Sequence, residues 1–258
     1  MELRAEKLAF GYGHQPVGRD VDLSVSPGQV LCLLGPNGSG KTTLFKTLLG
    51  LLPAQGGRIT LDGTQMSALS RAEIARRIAY VPQAHEAVFP YSVRDMVLMG
   101  RTVHQGLFAQ PGEVDRARAD AALSDLGIAD LADRDYTRIS GGQRQLALIA
   151  RALAQESRLV VMDEPTASLD FGNQVVVLDQ VRRLAGTGLG IVFSTHNPDH
   201  AFACATDVLV LDEGLTRAAG APADALTEEM LSSVYGVDVR LETLSSGYRV
   251  CVPPALSG

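Results

Sequence analysis

The chain has 258 residues, a length that predicts one large domain or two lobes of one domain. Hydrophobic residues make up 46% of it and charged residues 20%, a balance that excludes a disordered or fibrous chain. Its 29 acidic and 23 basic residues give a net charge of −6, which argues against broad nucleic-acid binding because such binding needs a positive field.

The N-terminal part of the chain carries the pattern of an antiparallel β-sheet. Apolar and polar residues alternate in Leu3–Phe10, Val21–Val25 and Arg58–Leu61, and turns rich in Gly and Pro separate these segments. We therefore expect an antiparallel β subdomain beside the rest of the fold.

Several short apolar runs have the length of buried strands in a parallel sheet. They are Val30–Leu34, Leu159–Met162, Ile191–Phe193 and Val208–Leu211. None of them reaches the roughly 20 apolar residues of a membrane span, and Met1–Lys7 lacks the basic and apolar regions of a signal peptide. We expect contact with a membrane to come only through a partner.

Helical patterns follow several of these runs, at Lys41–Leu49, Phe171–Ala185 and Pro198–Cys204. Repetition of strand, loop and helix is typical of an α/β domain whose helices cover a mainly parallel sheet. The predicted fold class is therefore α/β, with the antiparallel β part as an addition to the parallel core.

The middle of the chain contains almost no strand pattern and reads as helices at Ser92–Gly100, Glu113–Leu126 and Gln143–Ala154. Ser92 is a candidate N-cap, with Asp95 three residues later in place of the usual Glu. This stretch predicts a helical insertion between two core strands. The predicted division of the chain is a core with the antiparallel β part at about 1–89 and 155–258, and a helical subdomain at about 90–154.

The strongest motif is the run Gly35-Pro36-Asn37-Gly38-Ser39-Gly40-Lys41-Thr42, which follows a predicted strand and precedes a predicted helix. Its glycines let successive N–H groups converge on phosphate oxygens, and the helix N-terminus adds the positive end of its dipole. We expect Lys41 to bridge the β- and γ-phosphates and Thr42 to ligate Mg²⁺. The alternative is a glycine-rich turn with no ligand.

Two carboxylates, Asp163 and Glu164, follow the buried run Leu159–Met162, at the strand end where α/β sheets bind ligands. Asp163 is expected to hold the Mg²⁺ shell, and Glu164 to orient and polarise the attacking water. A solvated sheet edge is the alternative for such a pair taken alone.

A third motif, Ile139-Ser140-Gly141-Gly142-Gln143-Arg144-Gln145, is a turn that opens a helix. By itself it predicts an N-cap, with an anion site as the alternative.

The order of Lys41, Ser140–Gln145, Asp163-Glu164 and His196 resembles that of the ATP-binding cassette ATPases over essentially the whole chain. The segment Ile139–Gln143 is similar to their LSGGQ signature, with Ile in place of the first Leu. The resemblance implies a P-loop NTPase core of the RecA-like type and the activity of an ATPase.

The same resemblance implies roles for single residues. Tyr12 would stack on adenine, Gln83 would be the Q-loop residue that touches Mg²⁺ or water, and His196 would be the switch histidine at the γ-phosphate. The segment Ser168-Leu169-Asp170 would be the D-loop. Taken singly, each of these residues has a plainer reading, as a packing, turn or surface residue.

The resemblance further implies a head-to-tail homodimer with two ATP molecules at the interface. Each ATP, with Mg²⁺, would lie between Gly35–Thr43 of one copy and the signature residues Ser140, Gly141, Gly142 and Gln143 of the other. In this arrangement Glu164, Gln83, His196 and Lys41 would supply the catalytic groups.

The implied partners are integral-membrane permease subunits and a substrate-binding protein that acts through them, which would place the chain at the cytoplasmic face of the cell membrane. A coupling helix of the permease would dock in the groove beside Gln83 and the segment Phe89–Val93.

The runs Ser92–Arg101 and Leu231–Val237 resemble importer ATPases for iron–siderophores, haem, vitamin B12 and related metal chelates. Alternatives are a molybdate or tungstate importer and a soluble cassette ATPase that drives a non-membrane machine. A P-loop GTPase or small-molecule kinase is less consistent with the sequence, because no Asn-Lys-x-Asp guanine motif occurs. A non-hydrolysing binding module conflicts with the intact catalytic residues.

The remaining candidate ligands form no pattern. The odd number and wide spacing of Cys32, Cys204 and Cys251 indicate neither a disulfide framework nor a metal site, and a reducing cytosol fits them best. We expect the histidines outside the motifs to lie on the surface. These are His14, His85, His104 and His200.

Overall fold

The computed structural model describes residues 1–83, 89–106 and 109–252. Within these ranges the strands form three sheets, and most of the helices cover the largest of them. The strands are β1 Leu3–Tyr12, β2 Gln15–Val25, β3 Val30–Leu34, β4 Gly56–Leu61, β5 Thr64–Gln65, β6 Ile78–Val81, β7 Leu159–Met162, β8 Gly190–Thr195, β9 Asp207–Asp212, β10 Leu215–Gly220, β11 Arg240–Thr243 and β12 Arg249–Val252. The helices are α1 Lys41–Leu48, α2 Arg71–Arg77, α3 Val93–Leu98, α4 Glu113–Asp125, α5 Gly141–Ala154, α6 Phe171–Gly186, α7 Pro198–Cys204, α8 Pro222–Ala225 and α9 Glu228–Tyr235.

The central sheet has the order β10-β9-β3-β8-β7-β6. Strands β9, β3, β8, β7 and β6 run parallel, and β10 pairs antiparallel with β9 at the edge. The apolar runs therefore form the buried parallel strands that their composition predicts. A second sheet, β2-β1-β4-β5, is antiparallel. The predicted fold class is confirmed.

Strand β3 contributes to two separate hydrophobic cores because successive side chains point to opposite faces of a sheet. Val30, Cys32 and Leu34 pack with α5, α6 and α7. Leu31 and Leu33 pack with α1 and the antiparallel sheet. Helix α1 thus lies in the core between the two sheets, and the loop before it is fixed from both sides.

The stretch between β6 and β7 is helical in its described part, as expected, and contains an isolated antiparallel β-bridge between Ser92 and Asp135. Ser92 caps α3 in a capping box with Asp95, as predicted. The predicted helix ends early, since α3 stops at Leu98 and continues as a 3₁₀ helix over Met99–His104.

Several elements were not predicted. Strand β6 is an edge strand of four residues, and α2 begins at Ser70 with a capping box to Glu73. The hairpin of β11 and β12 packs beside α7. Among the described residues, no helix is long and apolar enough to cross a membrane.

Candidate active site

The carboxyl ends of four parallel strands bring the sequence motifs to one edge of the central sheet. The glycine-rich loop Gly35–Gly40 follows β3, Asp163 and Glu164 follow β7, His196 follows β8 and Gln83 lies two residues beyond β6. Because β8 lies between β3 and β7, the loop and the carboxylates face each other across it. This is the edge at which α/β sheets bind ligands.

The loop Gly35–Gly40, here called the phosphate loop, is held at both ends by backbone hydrogen bonds. Gly35 N donates to Thr195 O (3.3 Å), and Gly214 N donates to Ser39 O (3.1 Å). A Cβ at Gly35 would lie 2.0 Å from Leu211 O, so no other residue fits there without a backbone shift. Among the described residues, the buried Ser39 Oγ has no hydrogen-bond partner, which leaves this hydroxyl for a ligand.

Lys41, the first residue of α1, turns its amine back over the phosphate loop. Its Nζ donates to Gly35 O (2.7 Å) and Pro36 O (2.9 Å), and it lies 3.8 Å from Glu164 Oε1. Burial lowers the pKa of Lys41, and the carboxylates of Glu164 and Asp163 oppose that shift. A buried ammonium among carbonyls and carboxylates is placed to bind a phosphate.

Asp163 is a buried carboxylate, held by neighbouring strands. Ser194 Oγ donates to Asp163 Oδ1 (2.7 Å) and accepts from Glu164 N (2.9 Å), so one hydroxyl fixes both acidic residues. Asp163 N donates to Val81 O (2.9 Å). Burial and the nearby Asp163 raise the pKa of Tyr80 to about 12. A buried carboxylate at this edge suits a cation, because an unpaired buried charge is costly.

Glu164 adopts an unusual backbone conformation, with φ of 44°. Ser168, four residues later, has φ of 60°. Non-glycine residues in this left-handed region cost on the order of 1 kcal/mol each and cluster at functional sites. Glu164 Oε2 lies 3.3 Å from His196 Nδ1, whose imidazole is 54% exposed. The conformation aims the carboxylate between Lys41 and His196.

A cleft of about 560 Å³ lies over this edge, and the predicted nucleotide-site residues from three strand ends line it. Its lining residues are Val17, Asn37, Gly38, Gly40, Lys41, Thr42, Thr43, Gln83, Asp163 and Glu164. The hydroxyl of Thr42, the amide of Gln83 and the carboxylate of Asp163 are oxygen donors of the kind that Mg²⁺ prefers. Among the described residues that line the cleft, none comes from the signature motif.

The signature motif lies at the N-terminus of α5 and satisfies its polar groups locally. Ser140 is the N-cap: Gln143 N donates to Ser140 Oγ (3.2 Å), and Ser140 N donates to Gln143 Oε1 (3.0 Å). Ser140 is exposed, and α5 begins at Gly141. The predicted N-cap is therefore confirmed, and the N–H groups of Gly141 and Gly142, in the first helical turn, have no acceptor within the helix.

The signature motif packs against the loop that carries Asp170. Asp170 caps α6 by accepting hydrogen bonds from Asn173 N (2.8 Å) and Asn173 Nδ2 (2.9 Å). A Cβ at Gly142 would lie 2.1 Å from Asn173 Oδ1. Asn173 thus links the predicted D-loop residue to the signature within one chain.

Tyr12 ends β1 at the rim of the site and is 45% exposed. Lys46 Nζ donates to its hydroxyl (3.3 Å) and lies 5.7 Å from its ring centre. Hydrogen bonds from Thr43 and Lys46 lower the pKa of Tyr12. The ring is accessible to a planar ligand beside the phosphate loop.

One prediction about the histidines is wrong. His200 is buried, with Nδ1 at 2.9 Å from Thr195 Oγ1 and 3.3 Å from Thr166 Oγ1. Burial lowers its pKa. The prediction failed because α7 places His200 on its buried side. His14 and His104 are exposed, as predicted. His85 lies outside the described residues.

The segment Phe89–Val93, where a permease helix was expected to dock, is only partly on the surface. Phe89 is 64% and Tyr91 44% exposed, but Val93 is fully buried as the first residue of α3. Val93 is therefore a core residue and does not face a partner.

Sequence reasoning missed the residues that surround and support the site: Ser194, Tyr80, Asn173 and His200. Ser194 alone gave a signal, as a polar residue directly after the apolar run of β8. The others are recognised only when distant segments meet.

Comparison with known proteins follows this geometry. A match to the ABC transporter family covers residues 19–167. An ABC transporter ATP-binding protein of Haemophilus influenzae is 44% identical over 235 residues, covering 91% of this chain and 89% of that protein. A hemin import ATP-binding protein of Thermobifida fusca is 38% identical over 239 residues, covering 93% and 84%. A solved transporter assigned to the metal-chelate type, in an inward-facing conformation, contains a similar chain. The two chains are 35% identical, and their alignment covers 97% of this chain and 96% of the transporter chain, with a TM-score of 0.85.

Proposed function

Because the chain belongs to the ABC transporter family, it is the ATP-hydrolysing subunit of an ABC transporter, and we propose that this transporter imports a metal chelate. The cargo would be haem, an iron–siderophore, cobalamin or a similar chelate. The proposal is supported by the hemin-import relative and by the metal-chelate-type transporter, both similar over nearly the whole chain. The observation that carries the ATPase mechanism is the cleft that joins the phosphate loop to Asp163 and Glu164.

ATP would bind with its phosphates over the phosphate loop. The supporting features are the amine of Lys41, the N-terminus of α1 and the hydroxyl of Ser39, which has no hydrogen-bond partner among the described residues. The adenine would stack on the exposed ring of Tyr12. The residues proposed to bind ATP are Tyr12, Gly35, Pro36, Asn37, Gly38, Ser39, Gly40, Lys41, Thr42 and Thr43.

The cleft residues Thr42, Gln83 and Asp163 would hold Mg²⁺. Their donor set fits a hard cation, and Ser194 keeps the Asp163 carboxylate in one orientation. When bound there, the ion would neutralise negative charge on the phosphates. These three residues line the same cleft as Lys41.

Hydrolysis would depend on Glu164 and His196. Glu164 orients and polarises a water for in-line attack, and its fixed backbone limits where the carboxylate can move. His196, 3.3 Å away, would contact the γ-phosphate and report its presence to the rest of the chain. Lys41 and Gln83 would complete the catalytic set.

A second copy would complete the site. In the signature motif, the N–H groups of Gly141 and Gly142 have no acceptor within the helix, and the described residues that line the cleft include none from Ser140–Gln143. In a head-to-tail homodimer they would close over the γ-phosphate of the other copy, with Asp170 beside the contact. Loss of the γ-phosphate would then weaken the interface and convert hydrolysis into motion.

The membrane partner would be a permease, which places the chain as a peripheral subunit at the cytoplasmic face of the cell membrane. A groove of about 390 Å³ is lined by residues from the core and the helical stretch, among them Leu51, Tyr80, Met99 and Val103. Leu51 and Met99 are exposed apolar side chains there. We propose that this groove receives a permease helix. It differs from the docking site expected from the sequence, because its described lining includes neither Gln83 nor residues 89–93. A substrate-binding protein would act through the permease.

We also propose the division of the chain into a core at about 1–89 and 155–258 and a helical subdomain at about 90–154. The groove would lie at the junction of these parts and transmit movement between permease and nucleotide.

The cargo is tested with the tagged chain purified from its own membranes together with the permease and reconstituted in vesicles. Uptake of haem, a ferric siderophore, cobalamin and molybdate is compared, with Glu164→Gln vesicles as the blank. ATP-dependent uptake of one chelate supports the proposal. Uptake of molybdate alone, or a chain that never enters the membrane fraction, would refute the metal-chelate assignment.

A further inference from the structure

Two segments that sequence analysis treats separately are joined in the fold. The switch segment, residues 194–199, carries His196 and leads into α7. The C-terminal segment, residues 228–252, comprises α9, β11 and β12 and lies against it. The two segments are in contact at two points, one at the end of α9 and one in β12.

The first contact is a hydrogen bond from α9. Tyr235 Oη donates to the backbone carbonyl of His196 at 2.8 Å. The Tyr235 ring packs against the core with Val234 and Met230, while Leu231 of the same helix is fully buried. Burial raises the pKa of Tyr235, so its hydroxyl stays protonated and remains a donor.

The second contact comes from β12. Cys251 N donates to Asp199 Oδ1 at 2.8 Å. The hairpin is itself tied to α9, since Val239 N donates to Ser232 Oγ (2.9 Å) and Leu241 N donates to Glu228 Oε1 (2.7 Å). Helix and hairpin therefore act as one unit against the switch segment.

The switch segment needs such support because the His196 imidazole is more than half exposed. Among the described residues, its side chain has one polar contact, to Glu164. Its backbone is fixed on one side by Gly35 N to Thr195 O and by Asn197 N to Thr195 Oγ1 (3.1 Å). The hydrogen bond from Tyr235 restrains the carbonyl of His196 itself. The backbone of His196 is therefore held on both sides, which limits the directions in which its imidazole can point.

We propose that Tyr235 is a positioning residue for hydrolysis, which holds the switch histidine in place from the C-terminal segment. This inference rests on the proposed role of His196. Tyr235 is not among the described residues that line the phosphate-loop cleft, so we expect its effect on the rate of hydrolysis and not on the affinity for ATP.

The test compares Tyr235→Phe with Tyr248→Phe in the complete transporter. Tyr248 is the matched control, because its hydroxyl accepts a bond from Arg182 (3.5 Å) in the same C-terminal segment but away from the switch. We expect Tyr235→Phe to lower kcat about two- to tenfold, the range of one net hydrogen bond, with KM for ATP unchanged. Tyr248→Phe leaves both constants unchanged.

Hydrogen exchange provides a readout that a general loss of stability would not produce. The backbone amides of residues 194–197 and 199 should exchange faster in Tyr235→Phe, while those of β3 and β7 keep the wild-type rate. An unchanged kcat, or a lower kcat accompanied by weaker ATP binding and faster exchange throughout the core, would overturn the inference.

A His196→Ala variant distinguishes an error in the role of His196 from an error in the role of Tyr235. If His196→Ala hydrolyses ATP at the wild-type rate, the role proposed for His196 is wrong. If His196→Ala is inactive and Tyr235→Phe is normal, only the role of Tyr235 is wrong.

Discussion

The phosphate-loop cleft and the signature motif are both recognised in the sequence but have opposite structural environments. Side chains in the cleft are held by neighbours from other strands, as Ser194 holds both Asp163 and Glu164. The polar groups of the signature motif bond to each other, and Ser140 is exposed. The cleft is thus held together from several strands, whereas the signature motif is displayed on the surface. This difference is the basis for proposing that a second copy completes the nucleotide site.

The largest effect is expected at the cleft. Glu164→Gln should lower hydrolysis about 10²- to 10⁴-fold, because an amide cannot polarise the attacking water. ATP binding should be retained. Phosphate release and nucleotide binding are measured on the same preparation.

Glu213→Gln is the matched control, since Glu213 has a similar left-handed backbone (φ 49°) in an exposed turn. Equal loss in both variants would show that the effect comes from the backbone conformation and not from the Glu164 carboxylate.

A substitution in the signature motif should lower ATP hydrolysis without weakening ATP binding at the phosphate loop. Gly142→Ala places a methyl against Asn173 and should push α5 from α6, which lowers hydrolysis about tenfold while a single chain still binds ATP. Gly172→Ala is the control, because its Cβ would meet no atom closer than 3.6 Å. Weaker ATP binding by the single Gly142→Ala chain would contradict the proposal that the signature motif acts only on the ATP of another copy.

A smaller effect on activity is expected from Ser194→Ala. It removes the hydroxyl shared by Asp163 and Glu164, with a predicted cost of about 1–3 kcal/mol in the free energy of unfolding and about a fivefold loss of kcat. Ser157→Ala, which removes a hydroxyl bond at the other end of β7, is the comparison. Denaturant unfolding and ATPase rates should show that only Ser194→Ala affects kcat.

The smallest effect concerns pH. The pKa of His200 is lowered by burial, so the folded chain binds fewer protons than the unfolded chain below about pH 6.5. The free energy of unfolding therefore falls as pH drops from about 6.5 to the folded-state pKa, by at most about 1.4 kcal/mol per pH unit. The effect is absent above pH 7. Denaturant unfolding at pH 5.5 and 7.5 should show a weaker dependence in His200→Gln than in wild type or the exposed-site variant His14→Gln. An unchanged dependence in His200→Gln would refute the assignment.

Sequence reasoning predicted the elements whose cause is local. The apolar runs of β3 and β7, the phosphate loop and the Ser140 cap each follow from a few consecutive residues. Strand β6 was missed although Ile78–Val81 is an apolar run as long as Leu159–Met162. The hairpin of β11 and β12 was missed although Ser245-Ser246-Gly247 gives a turn signal between alternating segments.

The supports of the candidate site could not be predicted because they join distant segments. Tyr235 lies 39 residues from His196, and their contact follows only from how α9 packs on the core. The close approach of Gly142 to Asn173 likewise needs α5 and α6 in place. His200 carries no sequence signal that tells a buried imidazole from an exposed one.

The requirement for a second copy is tested most directly by light scattering during size-exclusion chromatography of the Glu164→Gln chain. The account predicts a monomer without nucleotide, a doubling of mass with ATP, and no doubling when Ser140→Arg is added. A chain that binds ATP yet stays a monomer in Glu164→Gln, or one that still dimerises with Ser140→Arg, would contradict it.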